Sequence, residues 1–185
     1  MQQVETLTCI VDDFIRALPK KCPNLVHLSL VAVPLSPELA RQVPWMKKLT
    51  CLNLNFTSID TPLYSTTLRV LRLHKSLVSL TSAKYMIHWS PLLKHMDISW
   101  CEKITNGAPL LLSVLKYAKQ TKILSIDGVK LQFDDTIVKN IKAIVGTRPT
   151  LCVSAMSEEE ENTLRDCGFT QLQIAREKSS TKTSN

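Results

Sequence analysis

Apolar residues recur along most of the chain at the first, fourth and sixth places of a six-residue block. The pattern fits Leu25-Val26-His27-Leu28-Ser29-Leu30, Leu49-Thr50-Cys51-Leu52-Asn53-Leu54, Leu68-Arg69-Val70-Leu71-Arg72-Leu73 and Leu93-Lys94-His95-Met96-Asp97-Ile98. A weaker copy is Thr121-Lys122-Ile123-Leu124-Ser125-Ile126. A first copy is expected at Val4-Glu5-Thr6-Leu7-Thr8-Cys9, and a last, degenerate strand near Leu151-Cys152-Val153-Ser154. Strand side chains alternate, so the fourth and sixth places share one face, which turns inward. The strands should then stack in parallel, each with a return segment on the outer side.

Between blocks the returns read mostly as helices. Asp12 or Asp13 precedes Phe14-Ile15-Arg16-Ala17-Leu18, and Ser36-Pro37-Glu38-Leu39 looks like an N-cap followed by proline at the first helical position. Ser82 precedes Ala83 to Ile87, and Thr105 precedes Leu111, Leu112, Leu115 and Ala118 on one helical stripe. Asp134-Asp135 precedes an apolar stripe that Gly146 stops. Ser157 precedes Glu158 to Glu161, where acidic groups suit a helix N-terminus, and Gly168 ends that helix. Residues 56–67 are too few for strand plus helix, and they hold Pro62 and many β-branched or hydroxyl residues. An extended return is expected there.

The blocks start at residues 4, 25, 49, 68, 93 and 121, which are 21, 24, 19, 25 and 28 apart. A block of this kind at a period of about 20–29 residues marks leucine-rich repeats. The expected fold is therefore α/β: a leucine-rich-repeat solenoid with a curved parallel sheet on the concave side. Helices and extended returns would form the convex side. It would span residues 1–175 in about six to seven repeats, and residues 176–185 read as a disordered polar tail.

Two segments go further than a generic repeat. One is Leu18-Pro19-Lys20-Lys21-Cys22-Pro23-Asn24-Leu25-Val26-His27-Leu28-Ser29-Leu30. The other runs from Leu93 to Leu115 and contains Asp97-Ile98-Ser99-Trp100-Cys101-Glu102-Lys103-Ile104-Thr105-Asn106-Gly107. They resemble the cysteine-containing repeats of F-box/leucine-rich-repeat proteins, over roughly residues 4–155. The resemblance implies a substrate-binding role within a Skp–cullin–F-box ubiquitin ligase. In that family a separate N-terminal F-box docks to the Skp adaptor. With a first strand expected at Val4, no residue here is assigned to the adaptor, so Skp and cullin are expected partners only of a longer form carrying an F-box. The alternative is a stand-alone repeat scaffold with no ubiquitin role.

Composition narrows the chemistry. The four glycines, Gly107, Gly128, Gly146 and Gly168, are too far apart for a phosphate-binding loop, and no nucleophile elbow is present. No two of the six cysteines form a C-x-x-C pair, so they read as small reduced thiols, mostly buried. Cys22 and Cys101 sit at the family's positions and are expected to fill turns. No cofactor, metal or catalytic residue is expected. There is no apolar run of 18 residues, so no membrane partner is expected, and the lack of a targeting pattern points to the cytosol or nucleus.

The candidate site is the concave face, where the third, fifth and seventh places project. The residues expected to meet a partner are His27, Asn53, Asn55, Arg72, His74, His95, Asp97 and Asp127. A basic ladder at the second place, Arg69, Lys94 and Lys122, should stack along one edge. With a formal net charge of +7, this points to a protein substrate that is acidic or phosphorylated. The plainer reading is a basic edge that blocks strand pairing. No aromatic residue alternates with the ladder as a base-stacking platform would, which disfavours nucleic acid. His27 and His95 should lie three strands apart, about 14 Å, too far to share a metal.

Overall fold

The first, fourth and sixth places of each block build one continuous core. Leu49, Leu68 and Leu93 at the first place are fully buried, as are Leu52, Leu71, Met96 and Leu124 at the fourth and Leu54, Leu73 and Ile98 at the sixth. A computed structural model describes residues 2–33, 35–146, 151–155 and 157–174 of the chain. The expected tail, 176–185, lies outside them. In chain order the elements are α1 (Gln2–Lys21), β1 (His27–Ser29), α2 (Glu38–Gln42), β2 (Cys51–Asn53), β3 (Ser58–Ile59), β4 (Val70–Arg72) and β5 (Leu77–Val78). Then follow α3 (Leu80–His88), β6 (His95–Asp97), α4 (Ala108–Tyr117), β7 (Ile123–Ser125), α5 (Asp135–Val145), β8 (Cys152–Ala155), α6 (Glu158–Asp166) and β9 (Gln171–Ile174).

The molecule is α/β, with a seven-stranded sheet in the order β1-β2-β4-β6-β7-β8-β9. All neighbours are parallel, and each block contributes the next strand. The register follows the blocks residue by residue: Leu28, Leu52, Leu71, Met96, Leu124 and Val153 form one row, and Ser29, Asn53, Arg72, Asp97 and Ser125 another. Leu39 of α2, Met86 and Ile87 of α3, Leu110 and Leu111 of α4 and Ile141 of α5 join the same core. The helices thus cover one face of the sheet and leave the other open. Thr121 replaces leucine at a first place and is buried because its hydroxyl donates to the Leu93 carbonyl at 2.9 Å.

The short return after β2 is extended: β3 pairs in parallel with β5, the equivalent segment after β4. Asp134 caps α5 by accepting from the Ile137 N–H. Ser157 and Glu160 form a reciprocal capping box on α6. Ser36 Oγ accepts from the Glu38 N–H at 3.0 Å, but Pro37, not Ser36, is the residue that precedes α2. Two further expected starts move. The cap of α3 is Ser79, not Ser82, because Ser79 holds the extended backbone and accepts from the Ser82 N–H. At α4, Asn106 rather than Thr105 accepts from the Ala108 N–H, at 2.9 Å, and also from the Gln132 N–H, at 3.0 Å, so one side chain ties two returns together.

The largest correction is at the beginning. Val4 to Cys9 lies inside α1 and is not a strand, so the sheet begins at β1. Val4, Leu7, Val11, Ile15 and Leu18 recur three or four residues apart, which is the helical period. Asp12 and Asp13 are therefore mid-helix and cap nothing there. Instead Asp12 accepts a hydrogen bond from Ser36, and Arg16 reaches Glu38 of α2 at 3.6 Å. Ile15 and Leu18 enter the core. β9, which the sequence did not announce, adds one strand beyond β8.

Candidate functional site

The open face is built from the places between the leucines. At the second place the Lys94 N–H donates to the Arg69 carbonyl and the Lys122 N–H to the Lys94 carbonyl, both at 2.8 Å. The expected ladder of Arg69, Lys94 and Lys122 therefore stands in one row, about 4.8 Å per step. Arg69 and Lys122 are exposed and Lys94 is half-buried. Arg72, on the middle strand, is exposed beside the same row.

Arg72 and Asp97 are register partners, yet among the described residues they form no ion pair. Asp97 Oδ1 instead accepts the Ser99 N–H, two residues on, at 2.9 Å. Burial, reinforced by Arg72 and opposed by Asp97, holds the pKa of His95 below the usual imidazole range. The ring therefore favours its neutral form and adds no positive charge at neutral pH.

Three expected contacts serve the backbone. Asn53 Oδ1 accepts the Asn55 N–H at 3.2 Å, the same turn that Asp97 makes. Asn55 Oδ1 accepts the His74 N–H of the next strand at 2.9 Å. His74 packs edge-on against Phe56, with ring centroids 5.6 Å apart. His27 is exposed on β1, at the far end from Asp127, which has one buried carboxylate oxygen with no hydrogen-bond partner among the described residues. Of the eleven residues, only Arg69, Arg72, Lys94, His95, Asp97 and Lys122 fall on the middle strands β4, β6 and β7 or on the residue that enters them. Asp97 lies among them with one oxygen engaged.

Two rows escaped the sequence reading. At the eighth place Ala32, Phe56, Lys75, Trp100 and Gly128 all have positive φ, from 53° to 73°. Each of the first four donates its N–H to the next strand. This left-handed residue follows each of β1, β2, β4, β6 and β7 and turns the chain into its return. The signal was a fixed offset with no fixed residue type, which a search for leucines passes over. Gly128 is required twice, because a Cβ there would lie 2.5 Å from the Trp100 indole. The second row is aromatic: Trp45, Tyr64, Trp89 and Tyr117 each stand four residues before a block.

The cysteines divide. Cys101 is buried, its thiol donates to the Leu73 carbonyl at 3.0 Å, and burial pushes its pKa up to about 11, so it is inert. Cys167 is buried as well, but Cys22 is exposed, against expectation, because it follows α1 into a solvent-facing turn. Among the described residues no helix is long and apolar enough to cross a membrane. No protein-family model matches the chain, and no curated protein matches it.

Proposed function

We propose that the chain is a leucine-rich-repeat solenoid and a non-catalytic protein-binding module. Its concave sheet face would hold an acidic or phosphorylated segment of another protein. The observation that carries this reading is the basic centre of the open face. Arg69, Arg72, Lys94 and Lys122 come from three successive strands, and Asp97, the acid among them, is turned to the backbone instead. Guanidinium groups left free in this way can grip carboxylates or phosphates in pairs. In-order parallel stacking of strands 19 to 29 residues apart supports the solenoid.

The resemblance to F-box/leucine-rich-repeat proteins supports a substrate-recognition role in ubiquitination, in the cytosol or nucleus, when such a module is joined to an F-box. The alternative is a scaffold that assembles a complex without ubiquitin. Affinity purification of this chain and of any longer form separates them. Skp adaptor and cullin recovered with the longer form support the first, and their absence from both supports the second. A partner captured equally well by the R69A/R72A/K94A variant would move the site off this face.

A further inference from the structure

The aromatic row and the basic row keep a constant offset from one another along the chain. Trp45, Tyr64, Trp89 and Tyr117 stand four residues before successive blocks, and Thr50, Arg69, Lys94 and Lys122 stand one residue after each block begins. Between them lies the turn that enters the strand. In three of these four turns the first N–H of the block donates to the carbonyl three residues earlier: Leu49 to Met46, Leu93 to Ser90 and Thr121 to Ala118, at 3.0, 3.1 and 3.0 Å. In the last three copies a ring and a cation thus stand five residues apart, one before and one after the turn into the strand.

The rings form a surface. Tyr64 lies 6.4 Å from both Tyr85 and Trp89, and His88 bridges Trp89 at 5.0 Å to Tyr117 at 4.5 Å. Trp45, Tyr64, Trp89 and Tyr117 remain 66%, 38%, 48% and 45% exposed. So much adjoining aromatic surface in water marks an interaction site. The charges that its helices carry have one sign. The charged residues of α3 and α4 are Lys84 and Lys116, and Lys119 follows. Asp60, four residues before Tyr64, faces Lys103 at 3.8 Å. A second copy of this chain would bring the same cations against these, so the complementary partner is acidic. The rings meet at 47° to 76° and partly cover one another's faces. That leaves edges and corners for aliphatic or proline side chains rather than open parallel faces for bases. A step of 6.4 Å between rings matches two residues of extended peptide.

We infer that this strand-entry edge is a docking groove for an extended acidic segment of a partner protein, with apolar side chains against the rings and acidic groups against the cations. The inference rests on the proposed function, because it shares the basic row, and adds the rings as a second set of contacts. Random peptides displayed on phage and selected on the full chain test it. Enrichment of acidic peptides with apolar residues at alternate positions is expected. A synthetic consensus peptide should bind the Y64A/W89A variant at least about tenfold more weakly, as for interface hot spots, while W89F retains most of the affinity. K94E/K122E, which leaves the rings intact, should lose binding with its melt unchanged. Basic or neutral consensus peptides would overturn the inference, as would binding indifferent to the rings. So would ring-dependent binding of a thymidine oligonucleotide or ring-dependent self-association. If R72A abolishes peptide binding while the ring variants do not, the groove fails and the open-face reading stands.

Discussion

The two ends of the same strands are used differently. At the exit end the backbone dictates the residues. A left-handed residue follows each of β1, β2, β4, β6 and β7, Asn53 and Asp97 accept N–H groups two residues on, and Asn55 accepts the His74 N–H of the next repeat. At the entry end the Thr67 and Thr121 hydroxyls donate to the Leu49 and Leu93 carbonyls, but among the described residues the side chains of Arg69, Lys94 and Lys122 make no hydrogen bond or ion pair. A polar residue on an open sheet face is thus not automatically available to a partner. At the exit end the polar side chains serve the fold, whereas at the entry end the cations make no hydrogen bond or ion pair among the described residues.

Substitutions can break this comparison in order of size. The leucine row between the ends sets the scale: Leu71→Ala, at a fully buried position, should lower stability by about 2–5 kcal/mol in chemical denaturation. An unchanged midpoint would show that the register is wrong. At the exit end, Gly128→Ala forces a Cβ into a left-handed conformation and against Trp100, and should cost about 1–2 kcal/mol. Asn55→Ala orphans the His74 N–H and should cost about 1–3 kcal/mol. At the entry end and the middle of the open face, the combined R69A/R72A/K94A change should move stability by less than about 0.5 kcal/mol per site, while partner recovery is lost. A large drop in melting temperature would mean that these side chains are structural after all.

The smallest effect is electrostatic. His95 has a lowered pKa, from burial first and Arg72 second. Protonating it therefore costs more in the folded than in the unfolded chain. Its contribution to stability is complete above the ordinary imidazole range and falls as pH drops through the lowered value. Arg72→Ala should move the His95 titration upward in an NMR pH series and flatten that dependence. A downward move would contradict the contact between them.

The central register was legible because leucines at alternate places leave one face to bury, and slipping by one residue would expose them all. The basic ladder was legible for the same reason. The start was not: Val4-Glu5-Thr6-Leu7-Thr8-Cys9 satisfies the block loosely, but the helical period that continues to Leu18 decides the matter. The backbone roles of Asn53, Asn55 and Asp97 stayed hidden because a short polar side chain reads alike whether it faces a partner or its own main chain. The aromatic row was missed because the rings lie outside the leucine block, although their constant offset from it is visible in the sequence.

The claim that the open, basic face receives the partner is tested most directly by photo-crosslinking. A photoreactive residue is placed in turn at Val70 and Ser125, on the open face, and at Lys139, exposed on α5. Crosslinks to the captured partner from Val70 and Ser125, with none from Lys139, are the predicted result. Crosslinks from Lys139 alone would put the partner on the helices and contradict the account.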